Sequence, residues 1–560
     1  MKSILPPVVR ELAFLLRLWR PPVERKLDEA VARFAATNAA YWEAAADGSE
    51  HILIEGHLSE YGPNYLFRTA LAARGLQSVL GGAQVDVVVN GYSYQWQTAR
   101  RGYRSFGITR WVFLGRRFVL LGPALWLFAL AGAGLNFLRL RAPEQIVDLR
   151  LGGIQVGDLV YDEIMRASKQ PTVRRVDAVA LKVMIRSWYY YLEYQLLFGL
   201  KKYRYYLATH TAYPEYGLLC RVALQRKVTV IETSDIQMSV YRSIGEKDLP
   251  TYHHGINSAI RTELKSNTLP AAKREALARE SLQRRLNSEL DQIDAKKAYS
   301  GTVYERTELL AELGIAHDQR IGFVLAHVFV DSPHLSSSML HADYYRWLST
   351  TIDCCAEAKD IIWVVKPHPS CALYGEDGMV NALVSDKGAA NVRVCPQDLN
   401  TRSLASCADV ILTVHGTAGL EYSCLGIPVV LAGTPFYAGF GFTYEPQSAS
   451  EYADLVRHAD SLARLSPEQI GTALQVFEVW ERQFDWKNSI ITSELLASVW
   501  GNGAKRDLKR AYDILTENLK VTDPRSLKLW SFACSVVRDE SRGKETEGNA
   551  DNTNPQACRS

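Results

Sequence analysis

A lysine and a histidine one residue apart, in Lys366-Pro367-His368-Pro369, are the residues whose types and spacing point first to chemistry. They follow directly on residues 361–365, an apolar run of strand length. A cation and a ring N–H donor at the end of a strand, with prolines fixing the backbone around the histidine, can neutralise a phosphate and stabilise it as a leaving group. Two surface residues closing a strand are the plainer reading of the same tetrapeptide. A second stretch carries matching chemistry. Residues 410–414, apolar and β-branched, run into the turn His415-Gly416-Thr417-Ala418-Gly419 and then a helix with Glu421 in its first turn. Glycines permit close backbone approach, and the N–H groups and dipole at a helix start favour an anion. Glu421 is placed to accept hydrogen bonds from a ribose diol. The turn alone reads equally well as a glycine-containing connection with a capping acid.

Strand, turn, helix and strand over 410–431 make one βαβ unit of a parallel sheet. Gly426 ends the helix, Pro428 blocks its continuation, and 429–431 is the next strand. Runs at 321–326 and 361–365 supply further strands of the same domain, with a helix from Tyr344 to about Ala358 between them. In the first half, 51–55, 85–90, 206–209 and 228–231 read as strands. Loops at the C-terminal ends of such strands line the ligand crevice of an open α/β sheet. That rule selects His57 and Glu60 after the first strand, and Glu232 and Asp235 after 228–231; His254 follows one loop later. Asp158, Asp162 and Arg166 recur at i, i+4 and i+8 on a helix face, a spacing that fits charge pairing ahead of catalysis. The aromatic helix 178–206 reads as core, although tyrosines in a cleft also suit sugars. Residues 270–298 read as a long charged helix, exposed or connecting.

The stretch that follows, Gly433-Thr434-Pro435-Phe436-Tyr437-Ala438-Gly439-Phe440-Gly441-Phe442-Thr443, is too rich in glycine and aromatic residues for an ordinary connection. Together with Lys366-Pro367-His368-Pro369 and the Gly419–Val429 helix and strand, it resembles the C-terminal half of bacterial capsule polysaccharide glycosyltransferases, most closely the capsule β-Kdo transferases. The resemblance is good over about 360–445 and loose elsewhere. It implies a GT-B fold: two Rossmann-like domains facing a cleft, the nucleotide donor held mainly by the second. It implies donor contacts from Lys366 and His368, from the backbone of Gly416, Thr417, Ala418 and Gly419 beside His415, from Glu421, and from Phe436 and Tyr437 around the base or sugar. His415-Gly416-Thr417 departs from the serine-rich pattern of that family, and Phe440 stands where tryptophan is usual; both bear on which sugar is carried. The His254-Gly255 pair is similar to one in cytidine-nucleotide-using polymer transferases, where such a histidine is proposed as a base. With Glu60, Glu232 and Asp235 it completes the candidate catalytic set.

Composition agrees with a multidomain globular protein: 560 residues, 47% hydrophobic and 22% charged. A net charge of +3 without a dominant basic run argues against a nucleic-acid partner. Nine scattered cysteines suggest neither a zinc site nor a disulfide framework. The first 26 residues mix leucines with Arg10, Arg17 and Arg20, as in a basic amphipathic helix lying on a membrane, or one packed on the protein. Residues 118–138 carry no charge and have the length of a bilayer span. A span would split one sheet across the membrane, and Gly122-Pro123 interrupts the helix, so a hairpin dipped into the cytosolic leaflet fits better, with burial in the protein core as the next reading.

The expectation is therefore an α/β protein of five parts. These are a helical segment 1–48; a Rossmann-like acceptor domain 49–300 with a membrane-docking insertion at 112–142; a nucleotide-donor domain 315–480; C-terminal helices 481–538 crossing back; and a disordered tail 539–560. Its expected activity is transfer of a sugar from CMP-Kdo or another nucleotide sugar to a lipid-linked or growing surface polysaccharide, at the cytosolic face of the inner membrane, with neither metal nor cofactor. A CDP-glycerol-type polyol-phosphate transferase, a nucleotide-sugar 2-epimerase and a non-catalytic lipid-docking protein are the competing readings.

Overall fold

A computed structural model of the chain describes residues 7–19, 24–43, 48–117, 121–233, 238–242, 255–266, 268–289, 298–316, 319–336, 338–396, 398–484, 490–501 and 505–550. The first sheet contains β1 (His51–Glu55), β2 (Gln84–Val89) and β3 (Arg110–Phe113). A small hairpin, β4 (Arg150–Leu151) with β5 (Ile154–Gln155), stands apart. The sheet is completed by β6 (Tyr205–Ala208), β7 (Thr229–Thr233) and β8 (Met238–Tyr241). Its order is β3-β2-β1-β6-β7-β8, parallel except for β8. The second sheet has β9 (Arg320–Leu325), β10 (Ile361–Lys366), β11 (Val392–Val394), β12 (Val410–Thr413) and β13 (Val429–Leu431), all parallel, in the order β11-β10-β9-β12-β13.

Both faces of each sheet are covered, which is why the strands are nearly continuous apolar runs. Ile52 and Ile54 of β1 face one core, while Leu53 faces the other. Ile411 and Leu412 of β12 divide in the same way. Each sheet grows outward from its first strand on one side and then resumes on that strand's other side. The change of direction opens a crevice between β1 and β6, and between β9 and β12.

The last helices belong to the first domain. Leu495 and Val499, Leu515 and Leu519, and Ala533 and Val536 enter the same core as Phe34, Ile54 and Leu71. The chain thus crosses back, as expected. The Lys528–Ala550 helix continues past residue 539, where composition predicted a disordered tail; a turn already anchored by Ala533, Val536 and Val537 propagates at little cost.

Two other expectations are corrected. The apolar insertion is not a hairpin. It is a single helix, Gly122–Arg139, with Pro123 in its first turn, where proline's missing N–H costs nothing. Among the described residues, no helix is long and apolar enough to cross a membrane. The described part of the charged 270–298 segment is not an exposed connector either. Its helix, Ala271–Leu286, buries Arg274 against Glu478 (2.7 Å) and Arg285 against Glu421 (2.8 Å). Charges at helical spacing looked solvated because their partners lie elsewhere in the chain.

Candidate functional site

Three neighbouring strands of the second sheet end in histidine-bearing loops. β10 delivers Lys366 and His368, β9 delivers His327, and β12 delivers His415. The two expected motifs do not come from adjacent strands, because β9 lies between them. His327, which sequence reasoning passed over, fills the gap. Its ring stacks on Tyr344 (centroids 4.4 Å apart), and its Nε2 accepts from the N–H groups of Val414 (3.3 Å) and His415 (3.5 Å), with the Thr413 hydroxyl at 3.3 Å. An imidazole accepting at Nε2 carries its proton on Nδ1. Burial holds this ring well below the ordinary histidine range, and the nearby His415 and His368 push the same way, so it is neutral. Those influences also show that the three histidines form one group.

Lys366 donates to the Leu399 carbonyl (2.9 Å) and makes no ion pair among the described residues; burial lowers its pKa. His368 accepts at Nδ1 from the Ser370 N–H (3.2 Å), which leaves Nε2 as the donor of the neutral ring. His415 is buried between the Ser338 carbonyl (3.2 Å) and the Tyr344 hydroxyl (3.4 Å). The N–H groups of Gly416, Thr417 and Ala418 take no partner among the described residues, and these residues are partly exposed. Successive unpaired N–H groups beside a lysine and histidine donors suit a phosphate.

Other parts of the expected donor set serve the scaffold. Glu421 is buried in the scaffold rather than presented to a ribose. It is 3% exposed, paired with Arg285, and its second oxygen accepts from the Tyr299 hydroxyl (2.5 Å). Gly419 is required by a neighbour. A Cβ there would sit 2.2 Å from the Tyr437 hydroxyl, which donates to the Gly416 carbonyl (2.6 Å) and so braces the turn. The following helix, Ala418–Ser423, is short, so its dipole is a minor contributor. Phe436 and Tyr437 are core residues, Phe436 stacked on Trp480 (5.4 Å). The loop they anchor is clasped by Asn257, which donates to the Phe436 and Ala438 carbonyls (both 2.8 Å).

The facing edge of the first sheet collects a second set. Glu55, ending β1, accepts from the His57 backbone N–H (2.5 Å), contacts His57 Nδ1 (3.1 Å) and accepts from the Thr209 hydroxyl. Burial alone would raise the Glu55 pKa, but the bonds and charge of His57 more than offset it, and the carboxyl ends below its ordinary value. Burial disfavours the His57 cation, yet Glu55 outweighs burial and raises its pKa. His210, after β6, is held down at about 4 by burial. Glu232, next to last in β7, is pushed up to about 7 by burial, with bonds from Tyr241 (2.7 Å) and Thr211 (3.4 Å) only partly opposing. An acid and a histidine with displaced pKa values at a crevice suit proton transfer. Glu60 does not join them. It accepts from the Ala99 N–H (2.9 Å) at the start of the Gln97–Arg104 helix, although burial also lifts it to about 7. Asp235 and His254 lie outside the described residues. Glu55 was missed in sequence because it closes an apolar strand and reads as part of it, and His210 because it stands alone between a strand and the next loop.

The two edges face each other. Tyr213, three residues after His210, has a left-handed backbone (φ +59) and packs with Leu335, beyond His327. Asp162 joins His334 across the domains (2.5 Å), and Tyr161 and Thr172 both donate to Asp343 (2.8 and 2.6 Å). The helix-face triad of the sequence is therefore divided: Asp158 pairs with Arg221, Asp162 with His334, and Arg166 with Glu163.

Two facing Rossmann-like sheets, with C-terminal helices returned onto the first, make the GT-B arrangement. Residues 336–470 match the family model described as capsule polysaccharide biosynthesis protein. The matched stretch contains Lys366, His368 and the whole 415–443 region, and none of the first domain. Among solved structures, the chain is similar to the β-Kdo 2,4 transferase of Thermosulfurimonas dismutans KpsC. That likeness has 15% identity and a TM-score of 0.31, covering 49% of this chain and 79% of that one. It is similar to the β-Kdo 2,7 transferase of the same KpsC at 16% identity, TM-score 0.27, covering 50% and 80%. Sucrose-phosphate synthase from Thermosynechococcus elongatus matches at 13% identity, TM-score 0.25, covering 78% and 94%. No curated protein sequence matches the chain.

Proposed function

We propose that the chain is a nucleotide-sugar glycosyltransferase of capsule polysaccharide synthesis, with CMP-Kdo or another nucleotide sugar as donor and a lipid-linked or growing glycan as acceptor. The observation that carries this reading is the gathering of Lys366, His368, His327 and the 416–418 N–H groups at the switch point of the second sheet, most of which the family match covers. The donor phosphate sits there. As the bond from the anomeric carbon to the phosphate oxygen breaks, that oxygen keeps the electron pair. Lys366 and His368 stabilise the charge as it develops. The acceptor hydroxyl attacks from the first-domain side and gives its proton to a group at the opposite edge, with Glu232 and the Glu55–His57 pair best placed. The reaction runs at the cytosolic face of the inner membrane, where a lipid-linked acceptor is presented.

A thermal-shift panel of CMP, CDP, UDP, GDP and ADP names the base, since a ligand bound to the native state alone raises its stability with concentration. His368→Ala is expected to lower transfer by about a hundredfold or more while leaving the melting temperature unchanged. Wild-type turnover in that variant refutes the donor site. Phosphorus retained in the product, or free epimerised nucleotide sugar without polymer, replaces the transferase reading with a polyol-phosphate transferase or an epimerase.

A further inference from the structure

Two helices of the first domain turn apolar faces outward. Gly122–Arg139 touches Ala178–Leu200 through a narrow stripe in which Leu125, Ala129 and Ala133 are buried. A Cβ at Gly132 would come within 2.7 Å of the Trp188 ring, so the contact is close and uses little of the circumference. Trp126, Leu127, Phe128, Leu130, Leu135 and Leu138 are exposed, Leu127 and Leu138 by 70% and 71%. The second helix, Pro7–Leu15, is fastened by its acid. Glu11 is buried, accepting from the Ser93 hydroxyl (2.5 Å) and the Tyr94 N–H (3.3 Å), which turns Leu12, Leu15, Leu16 and Leu18 outward.

An aromatic row connects the two. Trp19 meets Tyr94 edge-on (5.6 Å), and Tyr94 stacks on Tyr92 (6.1 Å). Tyr92 lies within electrostatic reach of Tyr189, which stacks on Trp126 (4.8 Å). Glu11 is the only acid in either helix, and it faces inward. Arg17, Arg139 and Arg141 stand exposed at the ends. The surface is therefore leucine ridges, an aromatic row and arginines, with no outward carboxylate on either helix among the described residues.

We infer that these two helices form one docking surface that seats the protein in the plane of a bilayer bearing anionic lipid headgroups. Leucines and aromatics enter the headgroup boundary, and the arginines meet lipid phosphates. The inference deepens the transferase reading and rests on it for its purpose, delivery of a lipid-linked acceptor. Tyr189, beneath the surface, and Glu193, which senses His57, are four residues apart on one helix, about 6 Å along its axis. One rigid element thus ties the bilayer to the proton-transfer edge.

The test is co-sedimentation of the full chain with vesicles of phosphatidylethanolamine and phosphatidylglycerol, against phosphatidylcholine alone. Binding is expected to the anionic vesicles and to weaken with salt. Leu127→Glu with Phe128→Glu, and Leu12→Glu with Leu16→Glu, are each expected to reduce partitioning by about tenfold or more. Arg139→Glu with Arg141→Glu, which removes no apolar contact, is expected to remove the preference for anionic lipid. An unchanged nucleotide-induced thermal shift shows that the variants are folded. The inference is overturned by wild-type protein left in the supernatant, by leucine variants that bind as wild type, or by a lipid-free dimer that the same substitutions dissolve. Vesicle binding without any nucleotide response sinks the transferase reading and leaves the surface standing; nucleotide response without vesicle binding does the reverse.

Discussion

Replacing Glu421 with glutamine separates a structural role from a ligand role. Glu421, Arg285 and Tyr299 form a buried triad, with relative exposures of 3%, 7% and 5%. Removing the carboxylate charge takes from a buried guanidinium its ion pair with Glu421. Breaking a buried pair in this way costs about 3–5 kcal/mol. For a domain of roughly 150–250 residues, each kcal/mol moves the melting temperature by about 2–4 °C. The expected fall is therefore on the order of 6–20 °C, read by calorimetry and by loss of near-ultraviolet circular dichroism. Affinity for the nucleotide that gives the largest thermal shift should stay within about threefold at a temperature where the variant is folded. Replacing all three members together, Glu421→Leu, Arg285→Met and Tyr299→Phe, removes the stranded charge with its hydrogen-bonding partners and should recover part of the loss. An unchanged melting temperature with a tenfold loss of nucleotide affinity would refute the reasoning and return Glu421 to the ribose.

The remaining expectations concern the acid edge and the turn. Because the folded pKa of Glu232 is raised, to about 7 from an ordinary 4.5, its contribution is full below 4.5 and is lost as pH rises through 7. Stability should fall by on the order of 3 kcal/mol across that window from this group. In urea unfolding at pH 5 and pH 8, Glu232→Gln should flatten the difference, and an identical pH slope in the variant would count against the assignment. If Glu232 is also the acceptor's base, transfer should rise with pH through about 7, since only the ionised carboxylate takes a proton. Gly419→Ala should destabilise by about 1–3 kcal/mol through collision with the Tyr437 hydroxyl. Tyr437→Phe in the same chain should relieve part of that loss, and additive losses would show that the hydroxyl is not the obstacle.

Much of the fold was legible because burial on both faces forces a parallel strand to be apolar throughout. Residues 51–55 and 429–431 are strands over the lengths their sequence suggested. Lys366 and His368 were legible as site candidates for a related reason: a polar pair that follows such a run falls at the sheet's ligand edge. Local sequence could not show how the edge is assembled. β9 stands between the two motif-bearing strands, so His327 enters the group through strand order, which no window of sequence contains. The glycine of the turn is a second case. In sequence, Gly419 reads as room for a ligand; in the fold, Tyr437 occupies that room. The apolar segment after residue 121 is a third, where Pro123 was read as a helix breaker and proves to be a helix start.

By itself, then, the amino-acid order determined the two-sheet architecture, the motif at 366–369 and the position of the glycine turn. These depend on short-range periodicity and on residues with restricted backbones. Tertiary structure decided which charges meet. Glu421 finds Tyr299 from 122 positions away, and Asp162 finds His334 from 172. A charged side chain looks the same in sequence whether it faces solvent, a ligand or a distant partner. Its role is fixed by what remains beside it once water has been expelled.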